Sequence, residues 1–302
     1  MHLQRRDLLK MAVASALAIS VPGFGARDKA AEIVAVLAEL ERRAAGRLGV
    51  AVMDLESGEL AGHRVDERFG MCSTFKLPLA AIILMQSQHG HIDLDAKISF
   101  TSDDLVPYAP VVEKNLERGY MTVRELAKAA QQKSDNAAAN LLLQLIGGPA
   151  GFTESLRSIG DDVTRLDRVE PELNYVPPGE VRDTTTPAAM AATTRQFLAG
   201  PHLSKDNRSL LGKWMEETGT GLNRLRAGFP AGWRSGDKTG TGIAPGMPNI
   251  YNDVAVAWPN DATPSFIIAA YYEADGEYDE MRSQDIAVLR QVGKEIATLR
   301  RT

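Results

Sequence analysis

The chain has 302 residues, of which 44% are hydrophobic and 24% are charged, and its formal net charge is −5 at pH 7. A chain of this length buries a sizeable core, as one large domain or as two that share an extensive contact. Its charges are mixed along the sequence and form no basic stripe, so we expect no nucleic acid partner. The only cysteine is Cys72, which excludes an intrachain disulfide and is typical of a small buried hydrophobic side chain.

Residues 1–25 have the features of an export signal. Arg5 and Arg6 precede an apolar run over residues 11–21, which is too short to span a bilayer as a mature helix. Small residues follow, so we expect cleavage after Gly25 or Ala26. The arginine pair resembles a twin-arginine export signal, and an ordinary secretory signal is the alternative. Either signal predicts a soluble exported product that has no membrane contact after processing.

The predicted elements change in type along the chain. Residues 28–47 carry apolar side chains at helical spacing, and two short segments on either side of Glu56-Ser57-Gly58 predict a β-hairpin. From residue 73 to about residue 217 the pattern is helical. Strand-length segments separated by Gly, Pro and Asn follow, and an amphipathic helix over 281–300 ends the pattern.

Strands near both ends of the chain and helices in its middle predict an α/β protein of the α+β type. The expected architecture is an antiparallel sheet flanked by the terminal helices, with an all-helical domain inserted into it. The predicted division is an export signal over 1–25, a discontinuous α/β domain over 26–70 and 217–302, and an all-helical domain over 71–216.

The segment MCSTFK, residues 71–76, places a serine and a lysine at the start of an apolar helix. Pro78 is tolerated only in the first turn, so the helix begins close to Ser73. Ser73 and Lys76 then share one helix face. Burial lowers the pKa of a lysine, which can then accept a proton from the serine hydroxyl. Taken alone, these residues also fit a capping serine followed by a surface lysine.

Two further short motifs are ambiguous when each is considered alone. Ser134-Asp135-Asn136 is typical of a helix cap, and it also fits a hydroxyl that relays a proton beside an amide that holds a carbonyl. Lys238-Thr239-Gly240 lies on a predicted strand, where glycine is unfavourable unless another group approaches the backbone closely. The N–H groups of Ser73 and Thr241 could then form an oxyanion hole, and a glycine-rich edge strand is the alternative.

In this order and together, the three motifs resemble those of the penicillin-recognising serine enzymes, which include class A β-lactamases and penicillin-binding proteins. Residues 165–183 have no periodicity and are rich in Pro, Gly and charge, which is typical of a functional loop. This segment resembles the omega loop of class A β-lactamases, and EPELN over 170–174 is the most specific match. The resemblance extends over essentially the whole mature chain and implies the β-lactamase/transpeptidase-like fold.

The resemblance implies hydrolysis of the β-lactam amide bond of penicillins and cephalosporins through an acyl-enzyme, and with it antibiotic resistance. The catalytic residues would be Ser73, Lys76, Ser134 and Glu170. Substrate contacts would come from Asn136, Asn174, Lys238, Thr239, Gly240, Thr241, Tyr108 and Arg224, and the ion pair that closes the loop would be Arg168 with Asp183. Whether Lys76 or Glu170 through water is the base in acylation stays open. No metal and no cofactor are expected.

Departures from the family pattern bear on the substrates. In many members an arginine follows the Lys-Thr-Gly strand, but no Arg or Lys occurs here between Lys238 and Arg282. Arg224 matches an alternative family position upstream, so the resemblance implies that Arg224 is the partner of the substrate carboxylate, with a helix-surface charge as the alternative. Cys72 matches a position that bonds a second cysteine in some carbapenem-hydrolysing members, but the partner position here is Gly242. We expect penicillins and early cephalosporins as substrates and no carbapenemase activity.

Two other activities are compatible with the same motifs. One is a penicillin-binding D,D-peptidase, and the other is a non-hydrolytic β-lactam receptor. Neither activity needs Glu170, so the omega-loop segment favours the hydrolase. A monomer in the periplasm is the expected state of the mature chain.

Overall fold

The structure is a computed structural model that describes residues 24–260, 263 and 265–301, with the side chains of 24–27 left out. The predicted export signal therefore lies outside the described residues, apart from the backbone of its last two. Within the described part of the chain, no helix has the length and apolar composition needed to cross a bilayer.

The long helices and strands follow one another in the predicted order, but four short strands between residues 69 and 185 were not predicted, so the middle of the chain is not all helical. The helices are α1 (Phe24–Ala44), α2 (Lys76–Gln88), α3 (Val123–Lys133), α4 (Asn136–Leu145), α5 (Gly148–Ser158), α6 (Pro187–Leu198), α7 (Lys205–Glu216) and α8 (Ser283–Arg301). The strands are β1 (Arg47–Asp54), β2 (Leu60–His63), β3 (Phe69–Gly70), β4 (Lys97–Ser99), β5 (Tyr120–Thr122), β6 (Thr184–Thr185), β7 (Arg234–Gly242), β8 (Ile250–Trp258) and β9 (Phe266–Glu273).

Five strands form one antiparallel sheet in the order β2-β1-β9-β8-β7. Strand β1 pairs with β9, opposing Ala51 to Ala269, so the two ends of the chain meet in the middle of the sheet. The predicted hairpin is β1 with β2. Strand β7 is an edge strand, and its free side faces the helical part of the molecule, where it contacts the turn before α2.

Both faces of the sheet are covered, which is why its central strands are apolar at nearly every position. Val50 and Val52 of β1 point into a core formed with α1 and α8. Ala51 and Met53 point to the opposite face, into a larger core formed with the helices from the middle of the chain. The predicted antiparallel sheet flanked by terminal helices is therefore confirmed.

Helix α2 is the centre of the helical part, as its apolar composition predicts. All residues from Lys76 to Met85 are buried, and Pro78 lies in the first turn, where its missing N–H costs nothing. Helix α4 ends at Leu145, and Pro149 lies in the first turn of α5, where proline is favoured. The larger core joins these helices to the sheet, so domain boundaries at residues 70 and 217 stay a prediction.

Candidate active site

Ser73 lies in a 3₁₀ turn, Cys72–Phe75, that runs directly into α2. Thr74 donates to Met71 O from its N–H at 3.2 Å and from its hydroxyl at 2.8 Å, which fixes the turn. One helical turn later, Lys76 Nζ lies 2.9 Å from Ser73 Oγ. The structure therefore brings the serine hydroxyl and the lysine amine into direct contact.

The Lys76 side chain is completely buried and its amine contacts four oxygen atoms. Besides Ser73 Oγ, its Nζ lies 2.9 Å from Ser134 O and 2.7 Å from Glu170 Oε1, and it also donates to Asn136 Oδ1. Burial lowers the pKa of Lys76, while the Glu170 carboxylate opposes that change. A surface position for this lysine, the alternative left by the sequence, is wrong.

Residues 134–136 join two helices and serve both as a cap and as part of the site. Ser134 ends α3 with a left-handed φ of 57°, and Asp135 caps α4 by accepting the Ala138 N–H at 2.8 Å. The capping contact leaves the Ser134 side chain free to face the strand β7. Its Oγ accepts a hydrogen bond from Lys238 Nζ at 3.0 Å.

Asp135 also positions the loop that carries Tyr108. Its Oδ2 accepts the N–H groups of Val111 and Val112 at 2.7 and 3.0 Å, and Asn136 N donates to Tyr108 O at 3.0 Å. The Tyr108 backbone has a φ of 65°, and its ring is 61% exposed at the rim of the cleft. The cap residue thus holds an unfavourable backbone conformation in place.

Strand β7 approaches the turn before α2 so closely at Gly240 that a side chain at this position would not fit. A Cβ at Gly240 would lie 2.7 Å from Met71 O and 3.2 Å from Thr74 N. Lys238 on the same strand is fully buried, and burial, together with repulsion from Lys76, lowers its pKa well below the usual value. The glycine in this strand is therefore explained by close backbone approach.

The omega loop brings Glu170 to the opposite side of Ser73. Glu170 Oε1 lies 3.3 Å from Ser73 Oγ, and its Oε2 accepts a hydrogen bond from Asn174 Nδ2 at 2.5 Å. The carboxylate is buried. It faces the hydroxyl group and shares Lys76 with it, so two potential proton acceptors lie beside the serine oxygen.

Asn140 holds the backbone of Glu170, a role that the sequence did not reveal. Its Oδ1 accepts the Glu170 N–H at 3.0 Å, and its Nδ2 donates to Glu170 O at 2.9 Å. Asn140 lies one turn after Asn136, and its neighbours in α4 at 137–139 and 141–143 are all apolar. A polar residue in that position was the available signal for a buried partner.

The neck of the omega loop is closed by Asp183. This buried carboxylate accepts the N–H groups of Asp167 and Arg168 at 2.7 and 2.9 Å and the Arg168 Nε at 2.5 Å. Arg168 also donates to Tyr175 O at 2.8 Å, within the loop. One arginine therefore ties the base of the loop to its interior.

Arg224 is buried behind β7 rather than exposed on a helix, so the surface alternative is wrong. Its Nη1 donates to Gly240 O and Asn252 O at 2.7 and 2.6 Å, and its Nη2 donates to Thr241 Oγ1 at 2.6 Å. Arg224 also lines the cleft at Ser73. It is held at the end of the cleft where the strand carries Thr241.

These side chains open onto a cleft of 620 Å³. The lining residues are Ser73, Tyr108, Ser134, Asn136, Asn174, Gly219, Thr220, Arg224, Thr239, Thr241, Ile243 and Met281. Gly219, Thr220, Ile243 and Met281 were not identified from the sequence. Thr220 Oγ1 lies 2.8 Å from Thr239 Oγ1 and so fixes the hydroxyl that faces the cleft.

Cys72 is a free, buried cysteine directly before Ser73, and burial raises the pKa of its thiol. It has a left-handed φ of 45°. A Cβ at Gly242 would lie 2.9 Å from Cys72 Sγ and 3.0 Å from Asn174 O. The two positions that the resemblance pairs are therefore neighbours in space, and glycine gives the thiol and the omega loop room.

Known proteins share this arrangement over nearly the whole chain. A model of the β-lactamase enzyme family matches residues 30–299. A β-lactamase of Mycobacterium tuberculosis is 45% identical over 290 residues, covering 91% of each chain. The carbapenem-hydrolysing β-lactamase KPC of Klebsiella oxytoca is 41% identical, covering 95% of this chain and 96% of its own.

Solved structures give the same result. An ancestral class A β-lactamase superposes with a TM-score of 0.83 at 50% identity, covering 88% of this chain and 99% of its own. Its fold is the antiparallel sheet with helices on both faces described above. The chain therefore belongs to the β-lactamase enzyme family and has the fold of its class A members.

Proposed function

We propose that this chain hydrolyses the β-lactam amide bond in two steps through an acyl-enzyme on Ser73. Its family consists of serine hydrolases that act on β-lactams. One observation carries the assignment of residues: Lys76 Nζ lies within hydrogen-bond distance of both Ser73 Oγ and Glu170 Oε1 in a buried site. A nucleophile with an adjacent proton acceptor is the arrangement that covalent catalysis requires.

In the first step, Ser73 Oγ attacks the lactam carbonyl carbon and the carbon–nitrogen bond breaks. The Ser73 proton passes to Lys76 at 2.9 Å or to Glu170 at 3.3 Å, and both geometries support a base. Backbone N–H groups of Ser73 and Thr241 bind the oxyanion. Ser134, which accepts a hydrogen bond from Lys238, hands its own proton to the lactam nitrogen. The proton that left Ser73 then passes from the base to Ser134, so the base is free again before the second step.

In the second step, Glu170 takes a proton from a water molecule, whose oxygen attacks the ester carbonyl. The bond to Ser73 Oγ breaks and the proton returns to that oxygen. Asn174 supports this role, because its Nδ2 donates to Glu170 and its buried Oδ1 has no donor among the described residues. A water that donates to this oxygen and to Glu170 would satisfy both acceptors.

The opposite end of the cleft suits a substrate carboxylate. Arg224 lines that end and supplies positive charge, and the hydroxyls of Thr239 and Thr241 supply donors. Buried Lys238 precedes Thr239 on the same strand and contributes from behind the cleft wall. Asn136 lines the cleft beside Ser134 and would hold the substrate amide, while Tyr108 would flank the scissile ring. A bidentate or charge-assisted contact to a carboxylate is worth about 1.5–3 kcal/mol.

We propose penicillins and early cephalosporins as the substrates and little turnover of carbapenems. The purified chain should be assayed in steady state against one member of each group. The predicted result is rapid hydrolysis of the first two, with all activity lost in Ser73→Ala. Carbapenem hydrolysis at a rate comparable with that of a penicillin would contradict the proposed range, and it is the activity that the name of the Klebsiella oxytoca relative states.

The proposed location is the periplasm, reached through the N-terminal signal, and the proposed state is a monomer. The twin-arginine pattern and the apolar run that follows it in the sequence support the location. The cleft lies within one chain, and each proposed role is filled by a residue of that chain. Size-exclusion chromatography with light scattering measures the oligomeric state directly.

A further inference from the structure

Two carboxyl groups that the proposed mechanism does not use are buried behind the cleft. Asp237 lies on β7, directly before Lys238, and Asp253 lies on β8, opposite Thr239 in the sheet register. Neither side chain is exposed to solvent. Buried carboxylates need charged or hydrogen-bonding partners, and the two share one group of them.

Each carboxyl has one oxygen with a donor and one without. Asp237 Oδ1 accepts Arg226 Nη1 at 3.0 Å, and Asp253 Oδ2 accepts the Leu225 N–H at 3.1 Å. Asp237 Oδ2 and Asp253 Oδ1 have no donor among the described residues. Asp237 lies two residues before Thr239, which opposes Asp253 in the register, so the two carboxyl groups are diagonal neighbours on one face of the sheet. A proton on one of them is the donor that both free oxygens lack.

Electrostatics also favour one shared proton. Burial is the largest influence and raises the pKa of both groups, and the Asp237 carboxylate raises the pKa of Asp253 further. The charged groups that face the pair are Arg226 and Lys238, which favour ionised Asp237, and Arg224, which favours ionised Asp253. The Arg226 ion pair therefore places the negative charge on Asp237 and leaves the proton to Asp253.

We propose that Asp253 is held protonated against ionised Asp237, and that this shared proton positions Arg224 at the carboxylate end of the cleft. With the proton on Asp253, Arg224 and Arg226 face a single negative charge, on Asp237, so positive charge remains for a substrate carboxylate. Without that proton, two carboxylates would neutralise the two arginines. The link from Arg224 to substrate binding rests on the proposed function, whereas the protonation of Asp253 is independent of that function.

The positioning runs through the segment that carries Arg224. Asp253 holds the N–H of Leu225, the next residue, and Arg224 N donates to Gly221 O at 3.0 Å. A Cβ at Gly221 would lie 1.3 Å from Asp237 Oδ2, so this glycine is packed directly on the pair. The segment 221–225 therefore rests on the two carboxyl groups at both of its ends.

The first test compares thermal unfolding of the wild type, Asp253→Asn and Asp237→Asn across pH. A carboxyl whose pKa is raised by folding stabilises the fold most below its unfolded pKa of about 3.9, and this contribution is lost as the pH rises. An amide at residue 253 keeps both hydrogen bonds without that loss. Asp253→Asn should therefore match or exceed the wild-type Tm at neutral pH, and its advantage should grow with pH.

Asp237→Asn is the matched control, because it makes the same change on the ionised partner. It removes the charge that pairs with Arg226, so its Tm should fall at neutral pH. A lower Tm for Asp253→Asn than for the wild type at neutral pH would overturn the proposal. So would equal behaviour of the two variants.

The second test separates positioning from structure by steady-state kinetics on a penicillin. Asp253→Val removes the acceptor of the Leu225 N–H, and KM should rise about ten-fold with kcat nearly retained, while Asp253→Asn restores KM. An unchanged KM in Asp253→Val would overturn the link to Arg224. If Arg224→Ala leaves KM unchanged, the proposed role of Arg224 fails, whereas the unfolding comparison still decides the shared proton.

Discussion

Lys76 and Lys238 are both completely buried, and each donates a hydrogen bond to a serine hydroxyl of the site. Lys76 contacts Ser73, and Lys238 contacts Ser134. For each, burial is the main cause of a lowered pKa, and for Lys238 the repulsion from Lys76 adds to it. A lysine of this kind gives up its proton more readily than an exposed lysine does. The same burial opposes folding, because an ammonium group loses its hydration.

Replacing Lys238 with methionine should therefore stabilise the fold while activity is lost. The folded state disfavours the charged lysine, so the cost is greatest at low and neutral pH and shrinks as the pH rises towards the ordinary value of 10.5. The Tm of Lys238→Met should exceed that of the wild type at neutral pH, and the gap should close at alkaline pH. A lower Tm at neutral pH would show that the contacts of Nζ with Ser134 and Thr239 outweigh the burial cost.

At the scale of elements, the site is built from element ends. The turn before α2 carries Ser73, the α3–α4 junction carries Ser134, and the omega loop carries Glu170. Helix and strand ends supply backbone groups without partners of their own. Capping residues such as Asp135 satisfy those groups and at the same time fix the adjoining side chains.

The omega loop should depend on its neck more than on its surface ion pairs. Arg168→Ala removes the charged partner of buried Asp183 and should cost about 3 kcal/mol of stability. Glu170 would then be held less firmly, so release of the acyl group should slow about ten-fold and acyl-enzyme should accumulate. Stopped-flow burst kinetics and denaturant unfolding measure the two effects.

Arg182→Ala is the control for the neck prediction. It removes the same charge from the same loop, but Arg182 pairs with Glu180 at the surface and its side chain is 52% exposed. Such pairs contribute less than about 1 kcal/mol. If Arg182→Ala slowed release of the acyl group as much as Arg168→Ala, a specific role for the neck would be excluded.

For the whole molecule, periodicity was enough to predict the main architecture. Each of these segments has a local pattern that matches the element it forms: the apolar runs form β1, β8 and β9, and the amphipathic segments form the terminal helices. The spacing of Ser73 and Lys76 predicted their contact for the same reason, because both lie within one helical turn.

Several roles that depend on distant segments were not predicted from the sequence, or were predicted only as one of two alternatives. Asn140 interrupts an apolar stretch of α4, and its role becomes clear only where the omega loop lies against it. For Arg224 the sequence left a surface charge open as the alternative to a substrate contact, which its contacts with β7 and β8 exclude, and no role was predicted for Asp253. Met281 lines the cleft from the segment before α8, where the N–H of the next residue, Arg282, donates to the Tyr251 hydroxyl. Local pattern carries no information about such pairings.

Glu170 reaches Ser73 only when the omega loop is closed on the helical core, so its role as a base depends on the whole molecule. The most direct measurement is the intact mass of Glu170→Gln after mixing with a penicillin. Glutamine preserves the contact with Asn174 but cannot accept a proton from water, so the acyl-enzyme should persist as a mass increase of one substrate molecule. A Ser73→Ala, Glu170→Gln double variant should show no increase. Turnover by Glu170→Gln at the wild-type rate, with no lasting adduct, would contradict the account.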